Sequence, residues 1–373
     1  MTEATQTAGA ASAAGAPGTT DAPGGTASGQ GPAPADQHVL VTGASGLLGS
    51  SVARRLVEAG HPVTTLQRRP SGVEGARDVQ GSVTDEATVA QALTAPDGLP
   101  PVTAVIHVAA KVSMAGDPAD FDRINIEGTR ALLAAARQAG VTRWVQISSP
   151  SVAHAGASLM GDGASPASPT LARGDYARTK AASELLALEA DADDFRVLAL
   201  RPHIIWGPGD AQLTERLIER SRAGRLPILG DGAALVDMLY IDNAVDAIVA
   251  ALPALEHTHG EALVVTNGQP RMIGEMLSRF ALAGGADVPS LRVPSGVGLA
   301  AGSAVEAVWT RLPQSAKDAG DGEPPLTRFL AEQLTTAHWF DQRRTQEVLR
   351  WTPAVSMEEG LERVAQHYGG TTR

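Results

Sequence analysis

Two short motifs carry the residues of this chain whose types and spacing suit them to chemistry. The first is the glycine loop Thr42-Gly43-Ala44-Ser45-Gly46-Leu47-Leu48-Gly49, and the second is Tyr176-Ala177-Arg178-Thr179-Lys180. The first is suited to holding a dinucleotide, and the second places a phenol and an ammonium one helical turn apart. Together they predict nicotinamide redox chemistry on a carbonyl or an alcohol, which neither motif predicts alone.

The phenol of Tyr176 is the predicted proton donor. A nearby ammonium favours a phenolate, so we expect Lys180 to lower the pKa of Tyr176. Such a phenol gives its proton to an alkoxide as hydride arrives, or removes one in the reverse direction. A hydroxyl at the end of the strand expected over residues 143–148 would hold the substrate oxygen. We predict Ser149 for this role, with Ser151 as the local alternative and plain strand-end capping as the other interpretation.

The three glycines of the loop have separate expected roles in a strand–loop–helix unit. Gly43 permits the tight turn, Gly46 lets the backbone approach a pyrophosphate, and Gly49 lets the helix pack on the strand. The free amides and positive dipole end of the helix then face the phosphates. The cofactor contacts predicted from this loop are Gly43, Ser45, Gly46, Leu47, Leu48 and Gly49.

The end of the second strand, expected over residues 62–66, indicates which dinucleotide binds. NAD sites usually place an acid here to hold the ribose 2′-hydroxyl, whereas Gln67, Arg68 and Arg69 follow in this chain. Guanidinium groups pair well with the additional 2′-phosphate of NADP. We therefore predict NADP as the cofactor, with NAD as the alternative if both arginines are only solvated surface charges.

The composition excludes several classes of protein. With 30 basic and 41 acidic residues the net charge is −11, which argues against an electrostatic nucleic-acid binder. The chain has no cysteine, so disulfides and thiolate chemistry are excluded, and its nine histidines show no metal-ligand spacing, so no metal site is predicted. No apolar run is long enough to span a membrane, and no signal peptide is recognisable, so we expect a cytoplasmic protein.

Short apolar strands alternate with helices from residue 38 onwards. Strands are expected at 38–42, 62–66, 104–109, 143–148 and 197–200, and a long helix is expected between the third and fourth of these. The alternation predicts an α/β fold, a Rossmann-type doubly wound parallel sheet, over residues 37–202. Residues 1–36, mostly Ala, Gly, Pro, Thr and Ser, are expected to be a disordered tail.

The second half of the chain, residues 203–373, is predicted to form a smaller C-terminal substrate-binding lobe. Helices are expected at 211–223 and 272–283, and short strands at 235–241 and 263–266, with some segments returning to the Rossmann sheet. The lobe should lie over the carboxyl edge of the sheet, where ligands bind in such folds. Segment 294–312 is mildly amphipathic and is interpreted as a surface or lid helix, with a flap over an apolar tunnel or a weak membrane contact as alternatives.

Five stretches of the sequence resemble the extended short-chain dehydrogenases/reductases, in family order. They are the glycine loop, His107-Val108-Ala109-Ala110, Asn125-Ile126-Glu127-Gly128-Thr129, Ser148-Ser149 and the Tyr176–Lys180 motif. The resemblance implies that Ser149, Tyr176 and Lys180 form a catalytic triad and that Asn125 occupies a helix-kink position near the site. It also implies cofactor contacts at Ser82, Val83, Ala109, Ala110, Lys111, Tyr176, Lys180 and Pro202. Family members usually carry an acid for adenine where this chain has Ser82.

Further stretches favour particular branches of this family. Residues 149–154 and 201–210 resemble the 3β-hydroxysteroid dehydrogenase group, whereas Val236 stands where sugar-nucleotide epimerases tend to have a phosphate-binding Arg. Residues 222–226, 230–232, 235–237, 240–243 and 325–330 resemble the reductases of bacterial long-chain olefin biosynthesis, which reduce 2-alkyl-3-oxoalkanoic acids with NADPH. The resemblance implies that activity here. The alternatives are a 3β-hydroxysteroid dehydrogenase, a sugar-nucleotide epimerase, and a regulator that senses NADP without catalysis.

The partner implied by this branch is a small apolar carbonyl or hydroxy compound. Its pocket is expected between the sheet edge and the lobe, lined partly by residues after Trp206 and by region 294–330. Ser151, His203, Trp206 and Arg328 are the predicted substrate contacts, with His203 or Arg328 holding the carboxylate. The resemblance implies two kinds of protein partner: a second copy of the chain in a homodimer, and other enzymes of the olefin pathway.

We predict that Arg68 and Arg69 set the preference for NADP. Replacing both with Ala should weaken NADPH binding far more than NADH binding, because only NADPH carries the phosphate that the guanidinium groups would hold. A hydrogen bond to a charged group contributes about 1.5–3 kcal/mol, so the preference should fall at least about tenfold. Binding titrations with both cofactors measure it, and equal losses would mean that these residues are only surface charges.

Overall fold

Seven parallel strands form the main sheet. The computed structural model describes residues 37–113, 116–312, 324 and 326–372, so the tail predicted for residues 1–36 lies outside the described residues. The strands are β1 His38–Thr42, β2 Val63–Gln67, β3 Arg77–Gln80, β4 Val102–His107, β5 Arg143–Ile147, β7 Arg196–Pro202 and β12 Glu261–Val265, numbered in chain order together with the strands of the smaller sheets described below. Their spatial order is β3–β2–β1–β4–β5–β7–β12. The Rossmann-type doubly wound sheet predicted from the sequence is confirmed.

Helices cover both faces of this sheet, because successive side chains of each strand point to opposite faces. The flanking helices are α1 Leu47–Glu58, α2 Glu86–Leu93, α3 Pro118–Phe121, α4 Gly128–Gln138, α5 Gly174–Glu189 and, on the face of α1, Ile241–Ala254. In β1, Val39 and Val41 join the core that includes Val52 of α1, whereas Leu40 joins the opposite core with Leu132 of α4. The alternation fixes which face each helix covers.

The long helix expected before the fourth strand forms, with one irregular turn. Residues Asp122–Glu127 are π-helical and link α3 to α4 without a break in the chain's helical course. A π-turn inserts an additional residue into the helix and re-aims the side chains that follow it. In this chain the turn carries the buried Asn125. The kink that the family resemblance placed at Asn125 is therefore a π-turn.

The strand order reverses direction between β1 and β4, and the loops after these strands diverge to opposite faces. Such a switch point leaves a crevice at the carboxyl ends of the strands, where open α/β sheets bind ligands. Strand β4 pairs in parallel with β1 along most of its length, with Thr42 opposite His107 at the carboxyl end. The two predicted motifs therefore lie along one edge of the sheet, which is the edge that the following section describes.

The second half of the chain builds most of the smaller sheets and returns to the main one with β12. The additional strands are β6 Leu159–Asp162, β8 Ile205–Trp206, β9 Ile228–Leu229, β10 Leu235–Val236, β11 Leu239–Tyr240, β13 Arg271–Met272, β14 Arg292–Val293 and β15 His338–Phe340. Strands β13, β10, β15 and β6 form a four-stranded sheet, and β11–β8 and β14–β9 form pairs. The additional helices are α6 Thr214–Arg222, α7 Ile241–Ala254, α8 Ile273–Ala283, α9 Ser295–Arg311, Arg328–Thr335, Arg343–Leu349 and Met357–Tyr368.

One prediction for this half is wrong in detail. Residues 235–241 are not one strand, because β10 and β11 pair in different sheets and α7 begins at Ile241. The short strand expected at 263–266 forms as β12, and it is a segment that returns to the main sheet, beside β7. The helices expected at 211–223 and 272–283 are confirmed, as α6 and α8, and segment 294–312 forms α9.

A buried ion pair joins the main sheet to α5. Both guanidinium nitrogens Nε and Nη2 of Arg201, at the end of β7, donate to the carboxylate of Glu184, at 2.8 and 2.5 Å. The third nitrogen, Nη1, donates to the Ser165 carbonyl at 2.6 Å. Both charged side chains are at most 2% exposed. Separating such a pair leaves each charge buried and unpaired, which is energetically costly. The pair therefore fixes the position of α5 against the sheet.

Candidate active site

The glycine loop is held against the end of β4 by the protein's own packing at two of its three glycines. Gly43 has a φ of +77°, and a Cβ there would lie 2.8 Å from the Ala109 nitrogen. A Cβ on Gly49 would collide with the Gly43 carbonyl group. At Gly46 the φ is −95°, which any residue adopts, and the nearest atom to a Cβ would be the Gly43 oxygen at 3.6 Å. Only Gly46 is therefore free of a steric demand from the protein itself.

The space above Gly46 fits a dinucleotide pyrophosphate. Gly46 is the N-cap of α1 and is exposed, no side chain caps the helix, and its first turn contains no acidic residue. The first amides of α1 and the positive end of its dipole therefore face an open loop, which is the arrangement that binds phosphate groups. Ser45, Leu47 and Leu48 are half-buried along the same loop. These residues would hold the cofactor's phosphates.

The end of β2 presents both arginines to solvent. Arg68 and Arg69 are exposed, and among the residues that the structure describes no carboxylate lies within ion-pair distance of either one. One carboxylate that the sequence reasoning missed, Asp78 of β3, accepts hydrogen bonds from the Ser71 amide at 2.9 Å and from the Gln67 amide group at 3.2 Å. Asp78 thereby fixes the loop that carries the arginines, and its oxygens are already occupied by protein donors.

Three other groups of predicted cofactor contacts lie at the same sheet edge. Ala109, Ala110 and Lys111 follow β4 and are half-buried, and Pro202 ends β7 and is buried. Ser82 follows β3, where its hydroxyl lies 2.8 Å from the Thr84 hydroxyl and accepts from the Thr84 amide. Val83 is 6% exposed. Ser82 can therefore still face a ligand, whereas Val83 offers mainly its backbone.

The hydroxyl of Ser149 hydrogen-bonds the phenol of Tyr176, so the structure brings these two predicted residues together. Burial raises the pKa of Tyr176 to about 12, and the Ser149 bond opposes that increase. The predicted lowering by Lys180 is wrong for this arrangement, because burial outweighs every other influence on the phenol. Ser151 supports Ser149: its hydroxyl and its amide donate to the Ser149 oxygen at 2.9 and 3.3 Å. Because the Ser149 oxygen already accepts from Ser151, Ser149 is the donor in its bond to the phenol, which is why that bond acts to lower the pKa of Tyr176.

The ammonium of Lys180 is buried under the end of β5. It donates a short hydrogen bond to the Ile147 carbonyl, and the residue is 3% exposed. Burial lowers the pKa of Lys180 to about 8, and the nearby carboxylate of Glu184 acts in the opposite direction. The same helix therefore carries a phenol that stays protonated at neutral pH and an amine whose charge is sensitive to mildly alkaline pH.

Asn125 links the loop after β4 to the catalytic helix. Its side-chain oxygen accepts from the Lys111 amide at 2.7 Å, and its side-chain nitrogen donates to the Thr179 hydroxyl at 2.9 Å. The nitrogen also donates to the Lys111 carbonyl at 3.2 Å. Asn125 is 2% exposed and does not reach Tyr176 by a direct hydrogen bond. These contacts place Asn125 between the loop after β4 and the helix that carries Tyr176 and Lys180.

The predicted substrate contacts divide into residues at the site and residues outside it. Trp206 is fully buried, edge-on to Tyr240 and Phe280 at 5.2 and 5.3 Å between ring centroids, so its prediction as a substrate contact is contradicted. It belongs to the core of the second half, where an aromatic ring of this size gains most from burial. Ser151 remains at the site through Ser149.

Neither candidate donor for a substrate carboxylate is a free cation. His203 has its Nδ1 at 2.7 Å from the Asp237 carbonyl, and burial lowers its pKa to about 4, so the ring is neutral at pH 7. Arg328 is exposed and its Nε donates to Glu332 at 3.0 Å. The carboxylate donor predicted at these residues is therefore not supported by their contacts.

Sequence reasoning missed three buried polar residues beneath the site. His107, Thr129 and Thr179 are each at most 1% exposed and hydrogen-bonded to one another through Asn125 or directly. His107 and Thr129 stand in the motifs that carry the family resemblance, but neither was assigned a role. The only signal was the placement of polar side chains at positions that the helix and strand periodicity predicts to be buried.

Comparisons with known proteins show the family to which the chain is similar. The family model of the NAD dependent epimerase/dehydratase family matches residues 39–266. The chain is 38% identical over 335 residues to a 2-alkyl-3-oxoalkanoate reductase of Stenotrophomonas maltophilia, covering 87% of this chain and 98% of the relative. It is 33% identical over 341 residues to a 2-alkyl-3-oxoalkanoate reductase of Shewanella oneidensis, covering 88% and 85%.

A solved structure has the same fold. MoeE5 in complex with UDP-glucose and NAD aligns with a TM-score of 0.67 at 24% identity, covering 88% of this chain and 98% of that one. In the part of the chain that the structure describes, no helix is both long and apolar enough to traverse a membrane. Across the same described ranges, no three His, Asp or Glu side chains are grouped in a way that could hold a metal ion.

Replacing Gly46 with Ala should weaken cofactor binding without weakening the fold. The added methyl group meets no protein atom closer than 3.6 Å, so the free energy of unfolding should change by less than about 1 kcal/mol. In the loop it would occupy the space of the pyrophosphate, so the Kd for the cofactor should rise at least about tenfold. Gly49→Ala is the matched control, because it should destabilise the fold itself; similar losses of stability in both variants would contradict this assignment.

Replacing Lys180 with Met should stabilise the fold in a pH-dependent manner while turnover is lost. The lysine pKa is 10.5 before burial and about 8 in the fold, so below pH 8 the folded state holds a buried ammonium that the unfolded state holds in water. That difference costs on the order of 3 kcal/mol. The wild-type chain regains it as pH rises from 8 to 10.5, because the folded state releases its proton first.

The gain of K180M should therefore be greatest at pH 7 and vanish near pH 10.5, as measured by urea unfolding at both values. Lys111→Met is the control, because Lys111 is half-exposed and paired with Asp120 at 3.3 Å. A stability difference that does not depend on pH would refute the buried-charge explanation.

Proposed function

Since the chain belongs to the NAD dependent epimerase/dehydratase family, we propose that it is an NADPH-dependent reductase of long-chain 2-alkyl-3-oxoalkanoic acids. It is an oxidoreductase, like the two reductases to which it is similar along most of its length. Both relatives are named for 2-alkyl-3-oxoalkanoates, and the proposal transfers that substrate class to this chain. Reduction of the 3-oxo group would give the 3-hydroxy acid.

The observation that carries the proposal is the protonated phenol of Tyr176 in contact with Ser149. With a pKa of about 12, the phenol holds its proton at neutral pH, which is the form that a reduction requires. The same phenol takes up a proton in the oxidative direction, so the substrate panel below, and not the pKa of Tyr176, separates this reductase from a 3β-hydroxysteroid dehydrogenase.

The residues of this chain would divide the proton chemistry as follows. When bound, NADPH supplies the hydride for the C3 carbonyl. Ser149 would turn its hydrogen from the Tyr176 phenol to the substrate's carbonyl oxygen, because its own oxygen is already held by the hydroxyl and amide of Ser151. Tyr176 gives its phenolic proton to the same oxygen, which stays bonded to C3 as the hydroxyl group of the 3-hydroxy acid. Lys180 places a positive charge beside the site, where it would hold the nicotinamide ribose.

The cofactor preference rests on the end of β2. Arg68 and Arg69 are exposed and have no carboxylate partner among the described residues, and Asp78 is turned towards Ser71 and Gln67. A 2′-phosphate would therefore meet two guanidinium groups, and an unphosphorylated ribose would meet no free acid. This arrangement supports NADP over NAD as the physiological cofactor.

The chemistry of the second half supports an apolar substrate. Val236 is fully buried in the hydrophobic core, so the position where sugar-nucleotide epimerases tend to have an Arg offers no donor for a phosphate. Helix α9 is rich in Ala, Gly and Val, and Val297 and Val308 are more than half exposed. The pocket that we propose lies between the sheet edge and this half, with α9 as one wall; residues 313–323 and 325 of the predicted lining lie outside the described residues.

We predict that catalytic efficiency rises with the alkyl chain length of the substrate. Burying each methylene contributes about 0.8 kcal/mol, so kcat/KM should rise roughly threefold to fourfold per carbon until the pocket is full. The assay follows NADPH oxidation with 2-alkyl-3-oxo acids of increasing length, 3-oxosteroids and UDP-sugars. Tyr176→Phe is the control, because loss of a positioned acid should reduce kcat by about 10²–10⁴ while cofactor binding persists.

Other outcomes of the same panel identify the alternatives. Preferred turnover of 3-oxosteroids would assign the chain to the steroid branch, and turnover of UDP-sugars would overturn the substrate class altogether. Saturable NADPH binding without turnover of any substrate would identify a nucleotide-sensing regulator. A flat dependence on chain length would contradict an apolar pocket even if the acids are reduced.

A further inference from the structure

A continuous chain of hydrogen bonds runs beneath the site from the glycine loop to the catalytic helix. The Ala109 amide donates to the Thr42 hydroxyl at 3.0 Å, and that hydroxyl lies 2.8 Å from Nδ1 of His107. The other ring nitrogen, Nε2, lies 3.0 Å from the Thr129 hydroxyl. Thr42, His107 and Thr129 are each at most 1% exposed, so no solvent molecule at the surface competes for these bonds.

The hydroxyl groups determine which ring nitrogen carries the proton. Thr129 donates its single hydroxyl proton to the Asn125 carbonyl at 2.7 Å, so it accepts from Nε2–H of His107. The Nδ1 atom is then bare and accepts from the Thr42 hydroxyl, whose oxygen in turn accepts from the Ala109 amide. Each donor in the chain has one acceptor, so the neutral Nε2–H tautomer is the form that satisfies every member.

The electrostatic surroundings keep the ring neutral. Burial lowers the pKa of His107 to about 3, and the positive charge of Lys180 acts in the same direction. A protonated ring would place a second hydrogen between Nδ1 and a hydroxyl that already accepts the Ala109 amide. Both the charge and the hydrogen-bond pattern therefore oppose a change of protonation near neutral pH.

The far end of the chain reaches the turn that carries the proton donor. Asn125 donates to the Thr179 hydroxyl at 2.9 Å, and Thr179 donates to the Asp175 carbonyl at 2.7 Å. Asp175 and Thr179 bracket Tyr176, and Lys180 follows directly. The near end reaches Gly43, because Thr42 precedes it and Ala109 is the residue against which Gly43 packs.

We infer that His107, as its neutral Nε2–H tautomer, is a positioning residue that holds the glycine loop and the catalytic helix in one fixed relation. The inference rests on the proposed dinucleotide-dependent reduction, because each half of the hydrogen-bond chain, on either side of His107, is given a separate effect on that reaction. Through Nδ1, His107 positions the loop that binds the cofactor. Through Nε2, it positions Asn125 and thereby the helix of Tyr176 and Lys180.

Two substitutions of His107 each break the hydrogen bond on one side of the ring and keep the bond on the other side. In His107→Asn the side-chain oxygen takes the place of Nδ1 and still accepts from Thr42, whereas the bond to Thr129 is lost. In His107→Gln the side-chain nitrogen takes the place of Nε2 and still donates to Thr129, whereas Thr42 loses its acceptor. Thr103→Val is the matched control, because Thr103 lies on the same strand and its buried hydroxyl has no hydrogen-bond partner.

We expect one variant to change kcat and the other to change the Kd for NADPH. His107→Asn should keep the NADPH Kd within about threefold of wild type and lower kcat at least tenfold, whereas His107→Gln should raise the Kd at least tenfold and keep kcat at saturating NADPH within about threefold. Thr103→Val should change neither. Parallel losses of Kd and kcat in both variants, or no loss in either, would overturn the inference. If a His107 variant does not fold, Thr129→Val and Thr42→Val remove the same two hydrogen bonds by changing the partner of His107 in each.

The tautomer gives a test that does not depend on activity. In ¹⁵N NMR spectra of the full chain, the ring assigned to His107 by its absence from the His107→Gln spectrum should show a protonated Nε2 and a bare Nδ1, unchanged between pH 5 and 8. A proton on Nδ1, or titration within that range, would overturn the inference. If wild-type protein reduces no substrate of the panel, the proposed function fails, while the tautomer and the cofactor Kd still decide the role of His107.

Discussion

The close approach of the ends of β1 and β4 is the constraint on which the rest of the site depends. Gly43 lies against the backbone of Ala109, so closely that no side chain fits at that position, and the Thr42 hydroxyl ties the same two segments together. This contact holds the ends of β1 and β4 together at the switch point of the sheet, and the crevice lies beside it. The free N-terminus of α1 faces that crevice because the loop cannot spread away from β4.

The catalytic helix α5 is fixed by polar groups that the sheet buries. Arg201 and Glu184 form a pair at most 2% exposed, and Lys180 lies one helical turn before Glu184. Buried ion pairs contribute little net stability against an apolar equivalent, but breaking one costs about 3–5 kcal/mol. The pair therefore acts on geometry: it holds the helix in the one position where Lys180 meets the Ile147 carbonyl and Tyr176 meets Ser149.

The same burial sets the protonation states of the site. A low dielectric disfavours every charged form, so the pKa of Tyr176 rises, whereas those of Lys180 and His107 fall. Only Lys180 has a nearby carboxylate that resists this effect. The outcome is a protonated phenol, a neutral imidazole and an ammonium close to its titration range, which together suit proton donation during a reduction.

Much of the fold and of the site could be predicted from the sequence, because both depend on local patterns. The glycine spacing, the runs of buried strand residues and the four-residue spacing of Tyr176 and Lys180 are properties of short segments, and the structure places each of them as expected. Three other features are not local: the division of residues 235–241 between two sheets, the burial of Trp206, and the direction in which the pKa of Tyr176 shifts. They depend on which distant segments pack together, and a dielectric environment or a hydrogen-bond partner far along the chain leaves no periodic signal in the sequence. The sequence therefore determined which groups take part, and the tertiary structure decided their charges, their tautomers and which of them meet.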